Sequence, residues 1–469
     1  MNGGRQFLAA ASAALCLAGC AVGPDYVRPD VPQPAAWHEL ADWQQGQPAD
    51  AADRGPWWHI YADPVLDELE QRVDASNQSL KAAEAAYRAA TALVQENRAN
   101  YWPTLTVNAS QQRSQRGDTP AQTLKSATGN ASWEPDLWGR VRRSVESSRA
   151  SAEASAADLA DVRLSLQATL ATDYFELRAQ DALIALLDAT ASAYQQALSI
   201  TENRYRAGVA AKADVVTAQT QLYDVQAQRL NADILRAQLD HAIAVLIGQP
   251  PAATKLASAA LTTTVPVIPV GVPSTLLQRR PDIAAAERQV AADNAQIGAA
   301  KSAFFPALTL SASDGYSNSV VASLFQAPNR LWSYGPALAA TLLDGGARRA
   351  AVRRAQALAE QSVAQYREDV LGAFQQVEDA LANLRILQNQ ATIEDSLVRS
   401  AREAETLMLN QYKAGIVPYS SVITAQATRL NSEQSAISVL RGRLVGTVTL
   451  IAALGGDWKA SETTAPSPR

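Results

Sequence analysis

The chain has 469 residues, 47% of them apolar, and a formal net charge of −5. That length suits roughly two or three ordinary domains, the near-neutral charge gives nucleic acid no basic footprint, and no run of about 18 apolar residues follows the N-terminal leader to make a transmembrane helix. The 3 histidines, His38, His59 and His241, are scattered without ligand spacing, and neither a phosphate-binding glycine loop nor a nucleophile elbow occurs, so no metal, cofactor or enzymatic chemistry is expected.

The N-terminus, "MNGGRQFLAAASAALCLAGC", has Arg5 as a basic head, an apolar run from Phe7 to Leu17, and then small residues. This is a secretory signal over residues 1–19, too short to span a bilayer. Its last four residues, "LAGC", resemble the lipobox of bacterial lipoproteins, in which cleavage leaves the cysteine first and its thiol takes the lipid. Cys20 is the expected lipidation site; the alternative is an ordinary signal with an incidental cysteine. The other cysteine, Cys16, leaves with the signal, so no internal disulfide is expected despite an oxidising destination. Ala21, in place of an aspartate, favours the outer membrane by the same resemblance. Residues 20–65 read as a lipidated extended segment.

A helix is expected over 66–101. "YWPTLTVNASQQRSQ" (Tyr101 to Gln115) then alternates, with Leu105, Val107 and Ala109 on one face and Thr106, Asn108 and Ser110 on the other. "SATGNASWEPDLWG" (Ser126 to Gly139) brings the chain back as a second strand. No proline lies between Pro135 and Pro250, and the glycines in that span are Gly139, Gly208 and Gly248. A glycine at the start, one at a turn and one at the end describe a very long helical hairpin. From Leu159 through Leu170, Tyr174, Leu187 and Tyr194 to Tyr205, apolar residues follow the repeat of about 3.5 residues of a coiled-coil seam, broken once by Asp181. The outbound helix, 139–207, is roughly 100 Å long. The return helix, 212–247, is about half that, and so is 66–101, so the two stacked end to end match it. A coiled-coil rod is the plain alternative. A linker is expected over 251–280, where "PPAATKLASAALTTTVPVIPVGVPS" (Pro250 to Ser274) is rich in proline and short of helical pattern.

The second half says this again. "FFPALTLSASDGYS" (Phe304 to Ser317) and "LWSYGPALAATLLDGG" (Leu331 to Gly346) are strand pairs. All four strand segments are near the 9–11 residues of a tilted membrane strand, with aromatics at their ends. "YWPTLTVNAS" matches "FFPALTLSAS", "LWGRVRR" matches "LDGGARR", and "RYRAGVAAKADVVTAQ" (Arg204 to Gln219) matches "QYKAGIVPYSSVITAQ" (Gln411 to Gln426), always about 205 residues apart. The chain is a tandem duplication, with repeats at 66–250 and 281–458. The tail, 459–469, has the composition of a disordered segment.

"CAVGPDYVRP" (Cys20–Pro29), "SWEPDLWGRVRRSVE" (Ser132–Glu146), "LLQRRPDIAAAERQVAADNAQIGAAKSAFFPALTLSAS" (Leu276–Ser313), "LLDGGARRA" (Leu342–Ala350) and the two turns carry a resemblance over the whole mature chain. It resembles the outer-membrane factors of the TolC and OprM type, most closely the NodT-like lipoproteins. The resemblance implies a mainly helical TolC-like fold with four transmembrane strands per chain, completed as a homotrimer. It implies the exit duct of a tripartite efflux pump, partnered by a periplasmic adaptor, an inner-membrane pump and outer-membrane lipid. Type I protein secretion and a non-conducting structural lipoprotein are the alternatives. Physics agrees on assembly: four strands cannot close, two copies make a barrel filled by its own side chains, and three leave a lumen.

In a channel of this type the hairpin tips face the inner membrane. Gly208 and Gly415 allow the left-handed turn and present Val209 and Ile416 to the adaptor; the alternative is that the pair staples its own turns. Asp214, early in the return helix, is the expected acidic ring of a periplasmic gate, with helix capping as its alternative. Tyr205 and Tyr412 are candidates for hydrogen bonds that hold the mouth shut. The second tip is neutral, with Pro418 and Ser421 where relatives commonly carry charge. "RVRR" (Arg140–Arg143) reads as a basic collar facing headgroups or the helix surface.

Overall fold

The structure, a computed structural model, describes residues 21–32, 34, 36–39, 56–268 and 279–456. The signal, Cys20 and the 459–469 tail lie outside the described residues. Asp63 accepts hydrogen bonds from the N–H groups of Val65 (3.0 Å) and Leu66 (3.2 Å) and so starts helix α1 (Pro64–Ser76). The sequence predicts one helix over 66–101, and the structure has two. Asn77 takes extended backbone (φ −62°, ψ 130°), and its Oδ1 accepts from Leu80 N at 3.0 Å to start α2 (Gln78–Ala99). An asparagine side chain that competes for backbone donors interrupts a helix in this way.

Strands β1 (Thr104–Ser114) and β2 (Gln122–Trp133) pair antiparallel with Thr104 opposite Ser132. β2 begins before Ser126 and stops well short of Gly139. Pro135 has no N–H for a ladder, and Asp136 turns inward to accept from Val141 N (3.0 Å) and Arg142 N (2.8 Å), capping α3 (Arg140–Arg206). β3 (Ala307–Asn318) and β4 (Arg330–Ala339) form the second hairpin, with Ala307 opposite Ala339. β4 also stops short of the expected Gly346, because Asp344 accepts from Gly346 N (2.9 Å) and Arg348 N (3.2 Å) at the start of α6 (Ala347–Lys413).

The duplication is regular in its helices. α3 and α6 have 67 residues each; α4 (Lys212–Leu246) and α7 (Tyr419–Ala453) have 35 each; α2 and α5 (Pro281–Ser302) have 22 each. A 67-residue helix is roughly 100 Å long. The expected end-to-end stacking is present: Asn77 Nδ2 donates to Leu246 O at 2.8 Å where α4 ends and α2 starts, and Arg280 Nη1 donates to Ala453 O at 3.0 Å where α7 ends and α5 starts. Each contact satisfies a carbonyl that a helix terminus leaves free.

The described residues divide into two compact units, and each repeat contributes to both. One contains the segment 21–31, residues 85–157 and residues 285–369. Its sheet has the order β1-β2-β3-β4, so β1 and β4 each keep a free edge. β1 is exposed along its whole length, on both faces. The N-terminal segment is fastened here. Val22 N donates to Trp138 O (3.2 Å), Arg143 pairs with Asp25 (2.8 Å), the Tyr26 hydroxyl donates to Glu287, and Arg28 Nε donates to the Tyr366 hydroxyl (3.4 Å). Most of "RVRR" is thereby used internally: Arg143 is buried, and Arg140 pairs with Glu134 at 3.1 Å.

The other unit holds α1, the far ends of the long helices, both helical turns and the linker. Leu170, Tyr174, Leu187 and Tyr194 of the predicted seam are buried, as are Leu177 and Leu198 on the same helix, while Tyr205 is exposed. Asp181, the break in that seam, is the centre of a buried ionic cluster. It accepts from Arg236 Nε (2.7 Å), Arg178 Nη1 (3.0 Å) and Ala259 N (3.1 Å). Burial pushes the Asp181 carboxyl up, but these hydrogen bonds, that of Arg236 foremost, bring it below the usual carboxylate range. The same arginines donate to Ala257 O and Leu256 O, both at 2.8 Å, so the linker backbone is clamped onto α3 and α4.

Candidate functional site

Both helical turns close by the same hydrogen bonds. In the first, Gly208 N donates to Tyr205 O and Val209 N to Arg204 O, each at 2.9 Å; in the second, Gly415 N donates to Tyr412 O (3.0 Å) and Ile416 N to Gln411 O (2.9 Å). This is the Schellman termination, and its left-handed residue is glycine at both tips, φ +77° in each. Val209 and Ile416 are 64% and 73% exposed, so neither is folded back as a staple. Beneath them the two hairpins share one core, in which Tyr194, Leu198, Val215 and Leu222 of the first meet Tyr412, Tyr419, Val422 and Leu430 of the second.

The duplicated tips differ in charge. Arg204 stands where the second repeat has Gln411. Its Nη1 donates to Tyr412 O (2.9 Å) and Lys413 O (3.1 Å), the last carbonyls of α6, and its guanidinium lies 4.6 Å from the Tyr412 ring centroid. A cation at a helix C-terminus and over a ring face is favourable on both counts. Tyr412 is buried and packs on Tyr419 at 5.2 Å between centroids, and its hydroxyl has no hydrogen-bond partner among the described residues. Tyr205, its counterpart, is exposed beneath the Lys212 ammonium, 5.5 Å away. Asp214 is half-buried in the first turn of α4, whose N-cap residue, Ala211, offers no side-chain cap. Burial, then the charges of Tyr412 and Asp214, push the Tyr419 phenol up to about 12, so Tyr419 remains a neutral hydroxyl. Tyr412 therefore packs directly on Tyr419, whereas Tyr205 is exposed.

The sequence profile of the outer membrane efflux protein family matches this chain twice, at residues 69–249 and 272–456, once in each repeat. The chain belongs to the outer membrane efflux protein family. The probable efflux pump outer membrane protein TtgC of Pseudomonas putida is 30% identical over 97% of this chain and 96% of its own length. The pyoverdine export outer membrane protein OpmQ of Pseudomonas aeruginosa is 32% identical over 96% of each. The outer-membrane channel OprN superposes with a TM-score of 0.85 at 30% identity, over 93% of this chain and 99% of its own. The protein is thus an outer-membrane efflux channel of TolC-like fold, a duct and not an enzyme.

The free-edged sheet and the tips are both legible as repeats. Arg204 and Tyr419, which meet Tyr412 in the structure, do not stand out in the sequence. The signal available there is the failure of the repeat itself, Arg204 against Gln411 and Lys212 against Tyr419. Tyr412 meets Tyr419 across its own turn, whereas Asp214 comes within electrostatic reach of Tyr419 through the packing of the two hairpins.

Proposed function

We propose that three copies of this efflux channel close into one barrel and one helical tunnel, forming the exit duct of a tripartite pump. The observation that carries this is the four-stranded sheet with both edges free. Unpaired backbone groups are not tolerated in lipid, so strands β1 and β4 must pair with other copies. Unpartnered seams on the helices support the same assembly. Val216, Tyr223 and Leu230 on α4, and Ile386 and Ile393 on α6, are exposed at seven-residue spacing, the pattern of a coiled-coil face.

In this reading Val209 and Ile416 meet a periplasmic adaptor, through which an inner-membrane pump delivers cargo. The relative named for pyoverdine export supports a small organic cargo. Asp214, repeated around the axis, makes an acidic mouth, and Arg204 latches the second hairpin of each copy to the first through Tyr412. Cys20 carries the lipid. Residue 21 supports its placement, since a Cβ added at Gly139 would lie 2.9 Å from Ala21 Cα, at the base of β2 where α3 begins.

The test is native mass spectrometry and planar-bilayer conductance of the purified chain beside Leu230→Glu/Ile393→Glu, which places charge in both seams. The parent is expected as a conducting trimer and the variant as non-conducting smaller species. A parent that runs as a monomer, or a trimer that passes no current in any state, defeats the proposal.

A further inference from the structure

The base of each β-hairpin repeats a cation–aromatic arrangement that the export function leaves unused. In the first repeat α2 ends in a turn where Tyr101 N donates to Arg98 O (3.0 Å) and Trp102 N to Ala99 O (3.0 Å). In the second, α5 ends in the same turn, with Phe304 N donating to Lys301 O (3.2 Å) and Phe305 N to Ser302 O (3.1 Å). On the return side, Arg142 and Arg349 occupy equivalent places in the first turns of α3 and α6. Each half therefore carries an exposed aromatic pair at its outbound turn and two cations, one in that turn and one where the chain returns: Arg98 and Arg142 with Tyr101 and Trp102, Lys301 and Arg349 with Phe304 and Phe305. In each half a hydrogen bond ties the return side to the outbound turn: Trp133 Nε1 donates to Tyr101 O (2.9 Å) and Arg348 Nη1 to Ala303 O (3.3 Å).

No described carboxylate pairs with these four side chains. The nearby acids are engaged elsewhere: Asp136 accepts from the α3 backbone, Glu134 pairs with Arg140, and Asp344 pairs with Arg348. Other arginines in the same turns are spent on the fold. Arg348 donates to Thr341 O (2.6 Å) and lies 5.4 Å from the Phe304 ring centroid, while Arg143 holds Asp25. Cations left unpaired at the same place in both halves, beside aromatics that end membrane strands, sit where headgroups lie. A guanidinium satisfies its fork of donors on a phosphate as well as on a carboxylate.

Resting on the outer-membrane reading above, the geometry points to two binding sites per chain for anionic phospholipid, at Arg98/Arg142 and Lys301/Arg349, in the leaflet that faces the helices. Each site grips the lipid phosphate between its two cations while the aromatic pair lies against the glycerol and upper acyl region. Leu342 and Leu343, 93% and 90% exposed between β4 and α6, extend the apolar surface at the second site. The sites anchor the hairpin bases at a set depth.

The test is native mass spectrometry of the full chain in detergent, with phosphatidylglycerol or phosphatidylcholine added. The parent is compared with Arg98→Gln/Arg142→Gln, with Lys301→Gln/Arg349→Gln, and with all four changes together. The parent should retain phosphatidylglycerol over phosphatidylcholine by about tenfold or more, each pair of changes should remove about half of the bound lipid, and the fourfold variant should show no preference. Arg98→Lys/Arg142→Lys, which keeps charge, tests the same site should a glutamine variant fail to fold, and it should hold the lipid. Undiminished preference in the glutamine variants overturns the proposal. So does complete displacement of the lipid by millimolar inorganic phosphate, which would mark a site for free anions. Conductance of the same samples in neutral lipid reports on the channel separately: a conducting variant without lipid preference leaves both readings standing, and a conducting parent without preference removes this one alone.

Discussion

Glu70 should make this channel less stable as pH rises, and replacing it should reverse that. It lies on α1 among Leu66, Leu69 and Val73, fully buried, and neither carboxyl oxygen has a hydrogen-bond partner among the described residues. Burial, then the charges of Asp74 and Asp67, push it from 4.5 up to about 9. The folded chain therefore keeps this proton at neutral pH, whereas the unfolded chain releases it above about 4.5. Where the folded state binds the extra proton, stability falls with pH, by ~1.4 kcal/mol per unit for one group. That loss starts near 4.5 and continues until the folded carboxyl ionises near 9. At pH 7 the deficit reaches ~3 kcal/mol per chain. Glu70→Leu removes the titration and fills the site with apolar volume. Its advantage over the parent should be ~1 kcal/mol at pH 5 and grow to ~5 kcal/mol at pH 8. Urea unfolding at those pH values, followed by the fluorescence of the buried Trp57 and Trp58, measures the difference, and titrating groups other than the coupled Asp67 and Asp74 cancel between the two chains. Parallel stability curves for parent and variant would show that Glu70 is ionised in the folded channel and that the reasoning is wrong.

Two further outcomes concern the mouth. Arg204→Ala frees the last carbonyls of α6 and uncovers the Tyr412 ring, so closed-state conductance in planar bilayers should rise several-fold, with Arg204→Lys intermediate; unchanged current in both would leave Arg204 as a helix cap. Asp214→Asn should weaken cation selectivity and divalent block, because carboxylates at a spacing of ~8 Å around an axis repel by ~0.5 kcal/mol per pair in water and ~2 kcal/mol at an effective dielectric of ~20; an unshifted reversal potential would argue that Asp214 only complements the α4 dipole.

Much of the architecture is legible because it is written twice. Proline-free spans, glycine at each turn and alternating strand segments locate α3, α4, α6, α7 and all four strands, and the tip glycines adopt the left-handed turn that their position predicts. Element ends are less legible. Asn77, Asp136 and Asp344 stop one element by capping the next, a choice made by side-chain hydrogen bonds that periodicity does not record. Asp181 reads as a flaw in a coiled-coil seam until the linker backbone and Arg236 come to it from elsewhere in the chain.

The sequence by itself determined the duplication, the kinds of the elements and the family, since these depend on local propensity and repeated pattern. Only the tertiary structure decided which charges are satisfied. Arg143 and Arg142 are neighbours in one motif, yet the first is buried against Asp25 and the second leaves its side chain exposed. Tyr205 and Tyr412 occupy the same place in two repeats, yet one is exposed and the other buried beneath Arg204. Pairing and burial depend on residues far away in sequence, and the local text of a repeat carries no record of what folds against it.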